Sequence, residues 1–411
     1  SSGKSLELTH GKYSSYMRES DRTLRKNAYE TYHKKFKDFE NTFCELLQGQ
    51  IKNHDFIAKT RKFNSCLEAA LYPNQIDVSV YQNLIKAVRD NIKTLHKFVS
   101  FKKRVLKLDK LAPYDIYAPL IADQNFKMDL EKAKQTVIDS VAPLGQEYQN
   151  IVKKGILQDR WVDYLETKKK RSGAYSSGCY DSMPYILMNY YESLNDLNTL
   201  AHEAGHSMHS YLSNHNLPYH YSQYPIFVAE VASTFNEQLL HGYLFDTFKD
   251  KNQKAYLIAD ALDRIQATFF RQTLFAEFEL KIHEMVESQT PLTPALLKQI
   301  YHQLYLDYYG SDMELDSLID VEWSRVPHFY YNFYVYQYAT GISAAVYLYD
   351  LCQKDKNNCQ QYLKFLKSGG SRYPLDLLKQ AGVDLTKPDA VQALISHFDH
   401  LIDQLSDILE K

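Results

Sequence analysis

The chain has 411 residues, 45% of them apolar, with 48 Lys and Arg against 50 Asp and Glu and a formal net charge of −2. Charges of both signs are interspersed along it, so neither a nucleic acid nor an anionic membrane is an expected partner, while the length allows a substantial buried core. No apolar run approaches the ~18 residues of a membrane span, and the first residues lack the basic-then-apolar order of an export signal. The cysteines, Cys44, Cys66, Cys179, Cys352 and Cys359, are odd in number and never spaced C-x-x-C. A disulfide framework and a Cys-based metal site are therefore not expected, and a reducing cytoplasm is.

In chain order, residues 1–17 read as an extended start that does not look like a natural beginning. From Ser20, whose side chain can cap a helix, to about Lys62 the period predicts one or two long helices. Tyr72-Pro73-Asn74 breaks the pattern, and Val78 to Leu106 reads as one amphipathic helix through Leu84, Ile85, Val88, Ile92, Leu95 and Val99. Further helices follow a Pro-containing loop over 111–120, from Met128 to about Lys154 with a break at Pro143-Leu144-Gly145. The basic run Lys168 to Arg171 reads as a solvated face. Residues 172–190 change texture, and two short strands are expected, one over Tyr185 to Met188. An edge strand here could pair with an extended peptide, or the pair could be an ordinary hairpin.

The motif His202-Glu203-Ala204-Gly205-His206 follows. On a helix, positions four apart differ by roughly 40°, so His202 and His206 project from one face with Glu203 beside them. This is a zinc-hydrolase spacing, although two histidines on a half-buried helix can also be ordinary core residues. Ser193 and Asp196 form a capping box at its start, and Leu197, Ala201, Ala204, Met208 and Leu212 make an apolar stripe about a quarter turn from the histidines. A catalytic zinc needs a third protein ligand and an open water position. Glu230 is the candidate, on a helix that Pro225 opens and that runs to about Asp250. Glu230, Thr234 and Glu237 share one face of it, where a carboxylate among apolar neighbours requires a partner.

The remainder, Lys254 to Ser288, Pro294 to Tyr309 and Val321 onward, reads as helical. Thirty-four tyrosines are more than a core requires, and five lie within Pro327 to Tyr338 beside His328. Read as a helix, Tyr331, Tyr334 and Tyr338 share one face, and Phe333, Tyr336 and Thr340 another. The run is either a packed aromatic helix or a set of phenols lining a cleft, where they could donate to a developing oxyanion.

GKYSSYM (11–17), KRSGAYSSGCY (170–180), PYILMNY (184–190), LAHEAGHSMHSY (200–211), IFVAEVASTFNE (226–237), FRQTLFAEFE (270–279) and PHFYYNFYVYQYATGISAA (327–345) together resemble oligoendopeptidase F, in the thimet-oligopeptidase-like group of zinc metallopeptidases. The resemblance covers essentially the whole chain. It implies a mainly α, zincin-type oligopeptidase catalytic domain with a small β-sheet beside the zinc helix and a deep substrate channel. Family members carry a further N-terminal helical lobe, so the chain resembles their C-terminal two-thirds, with a helical lobe segment over 1–165 and the zinc-binding core and C-terminal helices over 166–411. By matching position, one Zn²⁺ per chain falls on His202, His206 and Glu230, the general base on Glu203, and an acid orienting a ligand imidazole on Glu237. His328, Tyr331 and Tyr338 match transition-state donors, with Tyr334 as a substitute or substrate contact, and Gly173, Ala174 and Tyr175 match substrate-binding positions. The implied activity is endopeptidase cleavage of short oligopeptides, with self-association, or association with an N-terminal fragment, as further partners. A helical zinc carboxypeptidase and a non-catalytic peptide binder are the alternatives.

Overall fold

A computed structural model describes residues 3, 5–121 and 126–410. It is mainly α-helical, with one three-stranded sheet among the described residues. Strands β1 (Val162–Asp163), β2 (Tyr175–Ser177) and β3 (Tyr185–Leu187) lie in the order β1-β3-β2. β3 pairs parallel with β1, in register Val162 to Ile186, and antiparallel with β2, in register Ser176 to Ile186. β1 was not anticipated, because two residues are too few to display a period of two. β2 is left as an edge beside the motif helix.

Local signals set most helix boundaries, and the departures from expectation have local causes. The supposed extended start holds a helix over His10–Tyr16, capped by Thr9, whose hydroxyl accepts the Lys12 N–H. Asp21 rather than Ser20 caps the helix Arg22–Lys37, accepting from the N–H groups of Thr23 and Leu24. A carboxylate is the stronger acceptor there and also favours the positive end of the helix dipole. The segment expected as one helix from Val78 is two, Val78–Asp90 and Lys93–Val105. Asn91 divides them by turning its amide back onto the Ala87 carbonyl. Pro225 is the cap of the next helix rather than part of its first turn. Lys170 is not solvated: its ammonium bonds the carbonyls of Asp163 and Leu165 and pairs with the Asp163 carboxylate.

The centre of the molecule is a stack of three helices. The motif helix Leu194–Asn216 packs on Ile226–Thr247, which packs in turn on Tyr336–Lys354. Leu197, Ala201, Ala204, Met208 and Leu212 are all buried, so the motif helix is held by that stripe. Burying each of its large side chains contributes about 1.5–3 kcal/mol. Gly205 lets the first pair approach, since a Cβ there would lie 2.6 Å from Ser233 Cα and 2.7 Å from the Ala232 carbonyl oxygen. Gly341 does the same for the second pair, where a Cβ would sit 3.3 Å from Glu230 Cβ.

Candidate metal centre

Ser193 and Asp196 cap the motif helix reciprocally, as their spacing predicts, which sets the phase at which the histidines leave it. The Nε2 atoms of His202 and His206 lie 3.7 and 3.9 Å from the two carboxylate oxygens of Glu230 on the neighbouring helix. These three side chains are one-fifth to one-quarter exposed, enough for water to reach them. One ligand atom from each lies within 4.8 Å of the others. Two imidazole nitrogens and one carboxylate oxygen gathered this closely are the ligand set of a catalytic zinc.

Hydrogen bonds behind the ring aim the free nitrogens. His206 is bonded to the Ala229 carbonyl, which can only accept, and this leaves the Nε2 lone pair for a metal. His202 Nδ1 meets Glu237 Oε1 at 2.5 Å, and Arg264 Nη1 meets Glu237 Oε2 at 3.0 Å. Arg264 is in turn bonded to Asp260, which also accepts from Asn198. Burial opposes the charge on Glu237, but Arg264 and His202 outweigh it and hold the carboxyl below its ordinary value. Burial and the neighbouring His202 push His206 down to about 3. Burial also lowers His202, and Glu237, Glu230 and Glu203 more than reverse this.

Glu203 is buried at the same place. One of its oxygens accepts the Ser176 N–H from β2, while Oε2 has no partner. Burial raises its pKa, with Glu230 adding to the effect and His202 opposing it. An orphaned buried carboxylate oxygen next to two bare imidazole nitrogens is a donor set suited to a divalent cation and its water. Ser176 Oγ lies 2.8 Å from Ser207 Oγ, tying the edge strand to the motif helix. Gly173 and Ala174 line a cavity of about 390 Å³ with Asn189, Tyr191, Asn195 and Thr199, at the N-terminal end of that helix. Tyr175 is exposed on the edge strand.

The aromatic run is not one helix. Pro327–Tyr330 is a 3-10 turn, Asn332 and Phe333 adopt φ of +50° and +59°, and a regular helix begins only at Tyr336. A shared helix face therefore does not bring the three tyrosines together; the left-handed turn does. The His328 ring lies 5.7, 5.7 and 5.9 Å from those of Tyr331, Tyr334 and Tyr338, and its Nε2 is 3.4 Å from the Tyr338 hydroxyl. Tyr338 is bonded to Tyr334 and close enough to Glu230 for the carboxylate to add to the upward shift that burial imposes on the phenol. Tyr331 is 59% exposed. Arg264, Ser176 and the spacer role of Gly205 escaped the sequence reading, and only Gly205 had a local signal, standing inside the motif.

Fold and cluster together define a helical zincin-type architecture with a His-Glu-His motif helix. Residues 15–396 match Peptidase family M3, and the chain belongs to that family. It is 45% identical over 410 residues to oligopeptidase PepF of Bacillus subtilis (strain 168), covering 100% of this chain and 61% of that protein. It is 43% identical over 405 residues to an oligoendopeptidase F homolog of Borreliella burgdorferi, covering 98% of this chain and 69% of the relative. The crystal structure of oligoendopeptidase-F from Enterococcus faecium superposes with a TM-score of 0.81 at 35% identity, covering 100% of this chain and 68% of that one.

Proposed function

We propose that the chain is the catalytic part of a zinc-dependent endopeptidase that hydrolyses internal bonds of short oligopeptides. The observation that carries this is the convergence of His202 Nε2, His206 Nε2 and the Glu230 carboxylate, with the buried Glu203, its Oε2 unpartnered, adjoining His202 on the same helix. Zinc, when bound by those three side chains, supplies a Lewis acid and a water of near-neutral pKa. Glu203 Oε2 takes the proton of the attacking water and delivers it to the leaving amine. Its pKa, raised by burial, suits a group that must both accept and return a proton near neutral pH. The Tyr338 hydroxyl and His328, neutral because burial lowers its pKa, donate to the oxyanion that develops on the scissile carbonyl. Tyr334 supports Tyr338, and Tyr331 contacts the substrate from the solvent side.

The β2 edge offers backbone groups to an extended peptide, with Gly173, Ala174 and Tyr175 at its entry. Strand addition selects unstructured chains, which supports short, flexible substrates. Five free thiols fit a reducing cytoplasm. The test is incubation of the zinc-loaded chain with peptides of roughly 5 to 20 residues blocked at both ends, with products read by mass spectrometry. Internal cleavage is expected, abolished in Glu203→Gln. Cleavage only of peptides with a free C-terminus would assign a carboxypeptidase, and tight binding without cleavage a peptide-binding protein.

A further inference from the structure

The left-handed turn that gathers His328 and the tyrosines contains no glycine: Asn332 and Phe333 are successive L-residues at positive φ. Such strain persists only where the surroundings over-determine it. Two helices remote in sequence do so here. From Arg271–Glu287, the buried Glu279 accepts the Phe333 N–H at 2.7 Å, and its Oε2 has no partner. From Glu40–Thr60, Gln50 Nε2 donates to the Tyr330 carbonyl at 3.3 Å.

The two clamps are joined by hydrogen bonds whose direction follows from the groups themselves. The Glu279 carbonyl can only accept, so His283 Nδ1, 2.8 Å away, carries the proton and His283 Nε2 is bare. His54 Nδ1, 3.1 Å from that nitrogen, must then donate to it, which leaves His54 Nε2 to accept from Gln50 Nε2 at 2.9 Å. Gln50 thus spends one amide hydrogen on His54 and the other on Tyr330. The His283 ring packs 4.3 Å from that of Phe333. Every link is satisfied in one sense only, so the network prefers one placement of the turn.

We propose that Glu279 and Gln50 are positioning residues: gripping the Phe333 N–H and the Tyr330 carbonyl, they hold a strained turn that presents His328, Tyr331 and Tyr334 to the metal cluster. This rests on the endopeptidase reading above. Glu279 touches no reacting atom. A Gln in its place keeps an acceptor for the Phe333 N–H, and burial already raises the Glu279 carboxyl to about 8, so the amide resembles the neutral acid present at pH 7.

The test compares the zinc-loaded wild-type chain with Glu279→Gln, Glu279→Leu, Gln50→Leu and Glu279→Leu/Asn332→Gly on a blocked peptide. Hydrogen–deuterium exchange over residues 328–336 and thermal stability are recorded for each. Misplacing a donor by about 1 Å costs on the order of 10²-fold, so Glu279→Leu should lose about that in kcat with KM little changed. Glu279→Gln should stay within about threefold of wild type, and Gln50→Leu, on the more exposed flank, should lose about tenfold. Exchange should quicken over 328–336 in both Leu variants and not elsewhere. Glycine at 332 removes the strain at that residue, so the double variant should recover part of the lost kcat. Unchanged kcat and exchange in Gln50→Leu, or a Glu279→Gln variant as impaired as Glu279→Leu, would overturn the proposal. A wild-type chain inactive with zinc would overturn the endopeptidase reading instead, and the exchange data would still decide whether the clamp exists.

Discussion

Glu237 Oε1 lies 2.5 Å from Nδ1 of His202, and this contact joins the motif helix to a partly buried acid 35 residues further along the chain. Arg264, on the far side of the carboxylate, keeps Glu237 ionised. A negative oxygen at Nδ1 makes the opposite nitrogen a better base toward a metal and prevents the ring from turning away.

Replacing Glu237 by Gln should therefore weaken zinc binding by about 10- to 100-fold while leaving the fold intact. Competition with a chromophoric chelator gives the affinity. A zinc affinity equal to wild type would mean that Arg264 and Glu237 serve packing alone.

Glu203→Gln and Glu230→Gln should separate chemistry from metal retention. Gln at 203 should keep one zinc per chain and lose hydrolysis by on the order of 10³-fold or more, because no group remains to take the proton. Gln at 230 exchanges an anionic ligand for a neutral amide and should lose most of the metal. Elemental analysis of dialysed protein decides between them, and equal retention would remove Glu230 from the ligand set.

Among the tyrosines, Tyr338 should matter most to turnover. It is half-buried, bonded to Tyr334, near Glu230 and within 3.4 Å of His328, whereas Tyr331 is 59% exposed. Tyr338→Phe should lower kcat by about 10²-fold at little change in KM. Tyr331→Phe should act mainly on KM. A Tyr338→Phe variant that loses stability at unchanged kcat would make the ring a packing element.

Gly205→Ala places a methyl group 2.6 Å from Ser233 Cα, a backbone atom that cannot swing aside. The two helices must part, at a cost of about 1–3 kcal/mol. Because His206 and Glu230 stand on opposite sides of that contact, metal affinity should fall together with stability. Urea unfolding with and without zinc measures both, and a variant as stable as wild type would show that the helices can slide without cost.

Glu279 gives the folded state a distinct pH dependence. Its carboxyl is raised to about 8, chiefly by burial, with the bond from Phe333 opposing the shift. Burial disfavours charge on the surrounding titratable groups as well: it pushes His283 down to about 3, lowers His54 and raises Tyr81. Between about pH 4.5 and 8 the folded chain thus holds a proton at Glu279 that the unfolded chain has lost. Stability should fall as pH rises, by up to about 1.4 kcal/mol per pH unit from this group. Wild type minus Glu279→Gln in denaturant titrations at pH 5, 6.5 and 8 isolates the term, and a difference independent of pH would show that Glu279 ionises normally.

The placement of His202, Glu203 and His206 on one face, the capping box that phases them and the apolar stripe beneath were legible because each depends on spacing within a single helix. The same reasoning misled at Tyr331, Tyr334 and Tyr338. A helical period does group them, but Asn332 and Phe333 leave the helical region under the pull of Glu279 and Gln50, which lie 54 and 280 residues away from the groups they hold. Even so, His328 and these tyrosines are gathered.

The sequence by itself determined how His202, Glu203, His206 and Glu230 leave their own helices, because backbone period, capping and apolar patterning act over a few residues. Only the tertiary structure decided how closely the motif helix approaches Glu230, through the space left at Gly205. It also decided which charge keeps Glu237 ionised and what holds the tyrosine turn in a left-handed conformation. Those outcomes depend on close backbone contact and on the partners of buried polar groups, and both come from segments far apart in the chain.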